Sequence, residues 1–167
     1  MAAPEEPGAP SVEADLRRRV RGFVLRLTGD ADFAEDAAQE TLVRVLAGGA
    51  PRDLPFALRV ALNLVRSEFR RVRRRRAAPT EIDRVADPRG TEPAEAAAAA
   101  EDRSRFWERF GHLPEKERTA LVLRFAEGLS CAEIARVFGT TPNAVSCLLH
   151  RGKERARALL APGSVAP

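Results

Sequence analysis

The sequence predicts an all-α chain: two small helical domains joined by a flexible acidic linker, the second built around a helix-turn-helix. Three observations predict this. Apolar residues recur at the three- and four-residue spacing of one helix face, and no segment alternates as a half-buried strand does. A 26-residue stretch, AAPTEIDRVADPRGTEPAEAAAAAED, then interrupts that pattern with three prolines and few large apolar side chains. Beyond it, LSCAEIARVFGTTPNAVSCLLHR is punctuated as two short helices around a tight turn.

Residues 1–11, rich in Pro, Ala and Gly, are predicted to be a disordered tail. The first domain, 12–76, begins with Leu16, Val20, Phe23, Val24 and Leu27 at helical spacing, and Gly29 closes that helix. Asp32 stands three residues before Glu35 as a predicted capping pair. Ala34, Ala37, Ala38, Thr41, Leu42, Val45 and Leu46 then form one stripe, opposite Glu35, Asp36, Gln39, Glu40 and Arg44, and Gly48-Gly49 ends the helix. Pro55 fits the first turn of a third helix, FALRVALNLVRSEFRRVRRRR, whose first half is apolar nearly all round.

Residues 77–104 form the linker, in which the Ala run can extend the following helix, and 105–160 the second domain, with 161–167 a tail. Leu113-Pro114 opens a helix with Ala120, Leu121 and Phe125 on its expected apolar face and Gly128 as its stop. Ser130 and Glu133 then satisfy the S-x-x-E box, in which each side chain bonds the other residue's free backbone N–H. Ile134, Ala135 and Phe138 are expected to face inward. Gly139 suits a left-handed helix end, Thr141 a cap, and Pro142 a first turn. Val145, Leu148, Leu149 and Gly152 line one face of the last helix, leaving Asn143, Ser146, Cys147, His150, Arg151 and Lys153 exposed. These offsets suit a DNA-binding helix-turn-helix, where the early residues of the second helix reach base edges and flanking cations meet phosphates.

The charge balance points the same way. The net charge is +4, but 77–102 holds seven acids against Arg84 and Arg89, so the remainder is strongly basic. A basic body with a separable acidic segment fits a polyanionic partner, although arginine-rich codon usage also accounts for part of the excess. On the third helix Arg59, Asn63, Arg66 and Arg70 share one stripe before the run RRVRRRR. An amide there either reads a base edge while arginines neutralise the backbone, or is a buried and internally satisfied Asn; burial separates the two. Cys131 and Cys147 show neither metal spacing nor a disulfide framework, and Cys147 with His150 lacks a second ligand pair. No nucleophile–base pair, metal cluster or phosphate loop is present, so neither catalysis nor a cofactor is expected. With no leader peptide and no membrane-length apolar run, the expectation is a cytoplasmic protein without membrane insertion.

The chain resembles a bacterial RNA polymerase sigma factor of the sigma-70 family, extracytoplasmic-function (ECF) type. DADFAEDAAQETLVRVL resembles the helix with which these proteins grip the polymerase clamp, and FALRVALNLVRSEFRR the adjoining promoter-reading helix. LPEKERTALVLRFAEGLSCAEIARVFGTTPNAVSCLLHRGKERARALL resembles their C-terminal promoter-binding domain. The resemblance implies that core RNA polymerase and promoter DNA are partners, that an anti-sigma factor restrains the chain, and that DNA melting is driven by binding. It implies a clamp contact through Asp36, Gln39 and Glu40. It implies minus-ten single-strand contacts through Asn63, with Arg59, Arg66 and Arg70 near the backbone. It also matches Arg151 to a phosphate- or base-contacting arginine of the recognition helix that binds the minus-thirty-five element. Ser146 and Leu148 stand where relatives commonly carry basic residues, Ser67 where Asp is frequent, and Phe56 where Trp is. Two DNA contacts two helical turns apart lie about 70 Å from each other. A 26-residue tether spans about 28 Å as a coil and about 90 Å fully extended, so it must be drawn out. The rival reading is a duplex-binding regulator that works without polymerase, and a third is an RNA-binding or purely structural helical protein.

Overall fold

A computed structural model describes residues 12–48, 51–76 and 106–161. The tail 1–11, the linker 77–104, and the tail beyond residue 161 lie outside the described residues. Helices α1 (Val12–Thr28), α2 (Ala31–Ala47) and α3 (Leu54–Arg76) form the first module. A helical turn α4 (106–111), α5 (Glu115–Leu121), a π-helical turn (Val122–Ala126), α6 (Cys131–Phe138) and α7 (Pro142–Leu160) form the second.

In the first module α1 buries Leu16, Val20, Phe23, Val24 and Leu27 against Ala34, Ala37, Ala38, Thr41 and Val45 of α2. Small alanines on α2 allow the two backbones to approach closely. Ala57, Leu58, Ala61, Leu62 and Val65 of α3 complete the core. Gly29, at φ 70°, ends α1 in the left-handed region, with its N–H donating to the Leu25 carbonyl at 2.8 Å. The cap of α2 departs from the expected pair: Asp30, not Asp32, accepts the Phe33 N–H at 2.8 Å. The helix begins two residues earlier than the Asp32–Glu35 spacing implied, so Asp32 lies inside its first turn, where a carboxylate favours the helix dipole. Leu46, expected on the buried stripe, is exposed in the last turn. Asp53 caps α3, its Oδ1 accepting the Phe56 N–H at 3.0 Å.

In the second module, Phe125 is 68% exposed instead of inward. The π-helical turn is the reason. Its wider winding breaks the α-helical register across Val122–Ala126, leaving Phe125 outside and Glu127, just after the turn, buried. The Glu127 N–H donates to the Val122 carbonyl at 3.2 Å, and Gly128 at φ 72° closes the turn. α6 follows the expected punctuation closely. Ser130 Oγ accepts the Glu133 N–H at 3.2 Å, and Glu133 Oε2 accepts the Ser130 N–H at 2.8 Å. The Ser130 hydroxyl and backbone bonds hold the Glu133 carboxyl below its usual value, against a smaller effect of burial. Gly139 takes φ 66°, and Thr141 Oγ1 accepts the Ala144 N–H at 3.3 Å ahead of Pro142. Val137 shares the buried face with Ile134 and Ala135, whereas Phe138 is only half-buried, on the side turned toward α3. At Gly152 a Cβ would stand 3.4 Å from Leu121 and Glu117, so the missing side chain lets α7 lie against α5. Glu117, buried there, accepts from Arg155 at 2.7 Å.

The modules touch along α3 and α6 and between α1 and the π-helical turn. Three ion-pair sites cross the seam. Glu127 accepts from Arg19 Nε at 3.3 Å and Arg26 at 3.1 Å; Asp53 Oδ2 accepts from Arg136 at 2.5 Å; and Glu115 accepts from Arg66 at 3.1 Å. No helix among the described residues is long and apolar enough to cross a membrane.

Candidate nucleic-acid and protein interfaces

Three exposed faces carry the residues that the sequence singles out. The first is on α2. Glu35 anchors it to α1 through Arg17 and through Arg21 at 3.0 Å, and the Arg17 bond leads the effects that hold the Glu35 carboxyl below its usual value. With Glu35 thus engaged, Asp36, Gln39 and Glu40 point to solvent. Gln39 donates to Glu35 at 3.4 Å and Glu40 accepts from Arg44 at 2.7 Å, while Asp36 has no hydrogen bond or ion pair among the described residues. Val43 stands one turn further on the same face and is 62% exposed. Sequence reasoning missed it, since a lone apolar residue on a polar face carries no periodic signal.

The second face is on α3. Arg59, Asn63, Arg66 and Arg70 recur at offsets of four and three, so they fall on one side of the helix. Asn63 is exposed and its side chain makes no hydrogen bond among the described residues. That removes the reading in which its amide is buried and internally satisfied. Arg59 is equally exposed and unpaired among those residues. Arg66 is half-buried against Glu115, and Arg70 donates to the Ser67 hydroxyl at 3.1 Å. The amide therefore stands free between guanidiniums, some of which are already engaged.

The third face is on α7. Asn143, Ser146, Cys147, His150 and Arg151 are all exposed, with no side-chain hydrogen bond among the described residues. Val145, Leu149 and Gly152 are buried beneath them, and Leu148 is half-buried. Leu148 thus continues the apolar underside, which gives it a structural reason to be uncharged. Arg151 differs from the other four in facing sideways into a cleft of about 640 Å³, whose wall also holds Arg66, Arg70, Arg73 and Lys116. The structure therefore brings Arg66, Arg70 and Arg151 together from helices far apart in sequence. The α2 face does not line this cleft. Among the described residues no group of three or more His, Cys, Asp or Glu is placed to hold a metal.

A helical module with a basic, amide-bearing face, joined to a helix-turn-helix module, defines a class: a two-module DNA-binding protein. Comparisons with known proteins narrow it. The family model described as "Sigma-70 region 2" matches residues 14–76, and "Sigma-70, region 4" matches 103–155. The chain is 34% identical over 156 residues to the ECF RNA polymerase sigma factor ShbA of Streptomyces griseus, covering 85% of this chain and 80% of that one. It is 31% identical over 151 residues to the RNA polymerase sigma factor CarQ of Myxococcus xanthus, covering 85% and 83%. In fold it is similar to the sigma factor RpoE of Bartonella quintana, solved with the anti-sigma factor NepR. That match has a TM-score of 0.69 at 22% identity, over 89% of this chain and 94% of that one. The chain belongs to the sigma-70 family, in its ECF branch, and acts in promoter-directed transcription initiation. That family consists of regulatory DNA-binding proteins, not enzymes.

Proposed function

We propose that the module at 12–76 docks on the polymerase clamp and reads the minus-ten element as single-stranded DNA, while the module at 105–160 reads the minus-thirty-five element as duplex. On α2, Asp36, Gln39 and Glu40 supply the polar contacts to the clamp and Val43 an apolar one. On α3, Asn63 meets an extruded base through its paired donor and acceptor groups, and Arg59, Arg66 and Arg70 neutralise the strand beside it. On α7, Asn143, Ser146, Cys147 and His150 face the major groove, and Arg151 a phosphate or base at its edge.

The observation that carries this reading is Asn63: an amide exposed in mid-helix, without a protein partner among the described residues, on a stripe of arginines. Such a group contributes nothing to the fold and is presented for use. The chain performs no bond chemistry of its own. Contacts made to polymerase and to the single strand offset the cost of unstacking, a few kcal/mol per extruded base. Its place of work is the cytoplasm, with the transcription machinery, and its restraint is an anti-sigma partner of the kind bound to the Bartonella relative. Run-off transcription with purified core polymerase on fragments carrying mapped start sites tests this. Promoter-dependent transcripts are the expected result, and duplex binding that neither needs nor recruits polymerase would replace this reading with the operator-binding one.

A further inference from the structure

We propose that the cleft between α3 and α7 is a binding site for a free nucleoside polyphosphate, its phosphates on the cations and its base on two phenylalanines. The cleft measures about 640 Å³, within the range of about 300–1,000 Å³ that small-molecule sites occupy. Five cations line it: Arg66, Arg70 and Arg73 from α3, Lys116 from α5 and Arg151 from α7. One carboxylate, Glu115, lies among them, and it is already paired with Arg66 at 3.1 Å. Arg70 donates only to the neutral Ser67 hydroxyl. Arg73, Lys116 and Arg151 have no side-chain hydrogen bond or ion pair among the described residues. Like charges gathered on the wall of one concavity repel each other and concentrate anions there.

The balance of charge sets the chemistry of the ligand. A terminal phosphate carries about −2 at pH 7 and an inner one about −1, so a diphosphate matches Arg73, Lys116 and Arg151 together. Guanidiniums hold phosphate oxygens in pairs, and the Lys116 ammonium adds a point charge. A purely inorganic anion would leave the apolar part of the cleft unused. Phe69 of α3 and Phe138 of α6, both half-buried, line it beside Leu148. Aromatic faces next to cations accept a nucleobase of any kind, since every base has a π-face. Thr140, exposed in the turn before α7, adds a hydroxyl to the same wall. Promoter DNA is not the occupant, which rests on the proposed division of DNA contacts between α3 and α7. With those faces about 70 Å apart on a promoter, a cleft walled by both modules no longer exists.

Calorimetric titration of the full-length chain in about 0.15 M salt tests this with ADP, GDP, inorganic pyrophosphate, adenosine and a thymidine tetranucleotide. ADP and GDP are expected to bind about tenfold more tightly than pyrophosphate, and adenosine too weakly to detect. Lys116→Gln should weaken nucleotide and pyrophosphate alike, by about tenfold. Arg18→Gln, the same loss of charge on the exposed face of α1, should leave both unchanged. Phe138→Leu should weaken the nucleotides about fivefold and spare pyrophosphate, a split that a merely structural phenylalanine would not produce. Nucleotides and pyrophosphate bound equally, or weakened equally by Phe138→Leu, would mean an adventitious ion only and overturn the proposal. So would the absence of ADP and GDP binding at millimolar concentration, including the case in which the tetranucleotide binds in their place. Should circular dichroism show Phe138→Leu unfolded, Phe69→Leu is judged by the same split. Run-off transcription is a separate readout: its failure removes the proposed DNA contacts, and the calorimetry still decides the cleft.

Discussion

Helices α3 and α7 each turn a polar stripe to solvent, yet they are charged differently. On α3 one amide, Asn63, stands among Arg59, Arg66 and Arg70, with Arg73 and Arg74 beyond. On α7 the first turns carry Asn143, Ser146, Cys147 and His150, and the cations Arg151 and Lys153 come only after them. Cations bind phosphate whatever the base, whereas neutral donors and acceptors discriminate between base edges. The contrast agrees with the proposed division of labour, in which α3 grips a strand and inspects it at one point while α7 inspects a duplex. It also fits the substrates: a single strand offers a flexible backbone that needs many cations, while a duplex offers a fixed groove.

The sharpest way to break that contrast is Asn63→Ala. The side chain is exposed and unbonded among the described residues, and alanine is the better helix former, so the melting temperature should hold or rise. Open-complex formation, followed by permanganate reactivity of the melted strand, should fall by roughly 10- to 100-fold if one base contact of about 1–3 kcal/mol is lost. An equal loss of core-polymerase affinity would show instead that Asn63 belongs to the protein interface.

The α2 face should respond in the opposite sense. Reversing Asp36 and Glu40 to Lys removes exposed charges, and core affinity should drop by about tenfold through slower association and greater salt sensitivity. Duplex binding by α7 should be untouched. A smaller effect is expected on α7 itself. Ser146→Arg should make it resemble α3: duplex affinity rises severalfold, and the slope of log K against log salt steepens by about one. A flat response would place position 146 away from DNA.

The smallest effects concern folding. Ser130→Ala, which breaks one half of the capping box, should cost about 1 kcal/mol of stability in urea titration without altering α3. Asp53 joins its helix cap to the seam. Burial works against its charge, but the bonds to Arg136 and to the Phe56 N–H, with the Arg136 charge, hold its carboxyl below its ordinary value of 3.8. A carboxyl lowered by folding stabilises above its unfolded value, and that contribution is lost as pH falls through the folded one. Wild type should therefore lose stability between about pH 4 and pH 3 more steeply than Asp53→Asn, by parallel urea titrations. Superimposable curves would show that the Arg136 pair does not survive in solution.

Local signals in the chain were enough for every feature whose cause lies within a few residues. The Ser130–Glu133 box, the left-handed Gly139, the Thr141–Pro142 start and the stripes of α1 and α7 are all short-range chemistry, and so were readable as text. The two-residue error at the cap of α2 arose because Asp30 and Asp32 both satisfy the local rule, and packing of α2 on α1 selects between them. The charged faces were legible as patterns on single helices, though whether Asn63 was free or buried was not. Tertiary structure alone decided the rest. A π-helical turn broke the register at Val122–Ala126 and left Phe125 exposed, a change of winding that hydrophobic periodicity does not encode. Arg19, Arg26, Asp53, Arg66 and Arg136 met partners 49 to 108 residues away. At such separations a charge on one helix carries no mark of the charge that will face it, because which surfaces meet is settled by how whole modules pack.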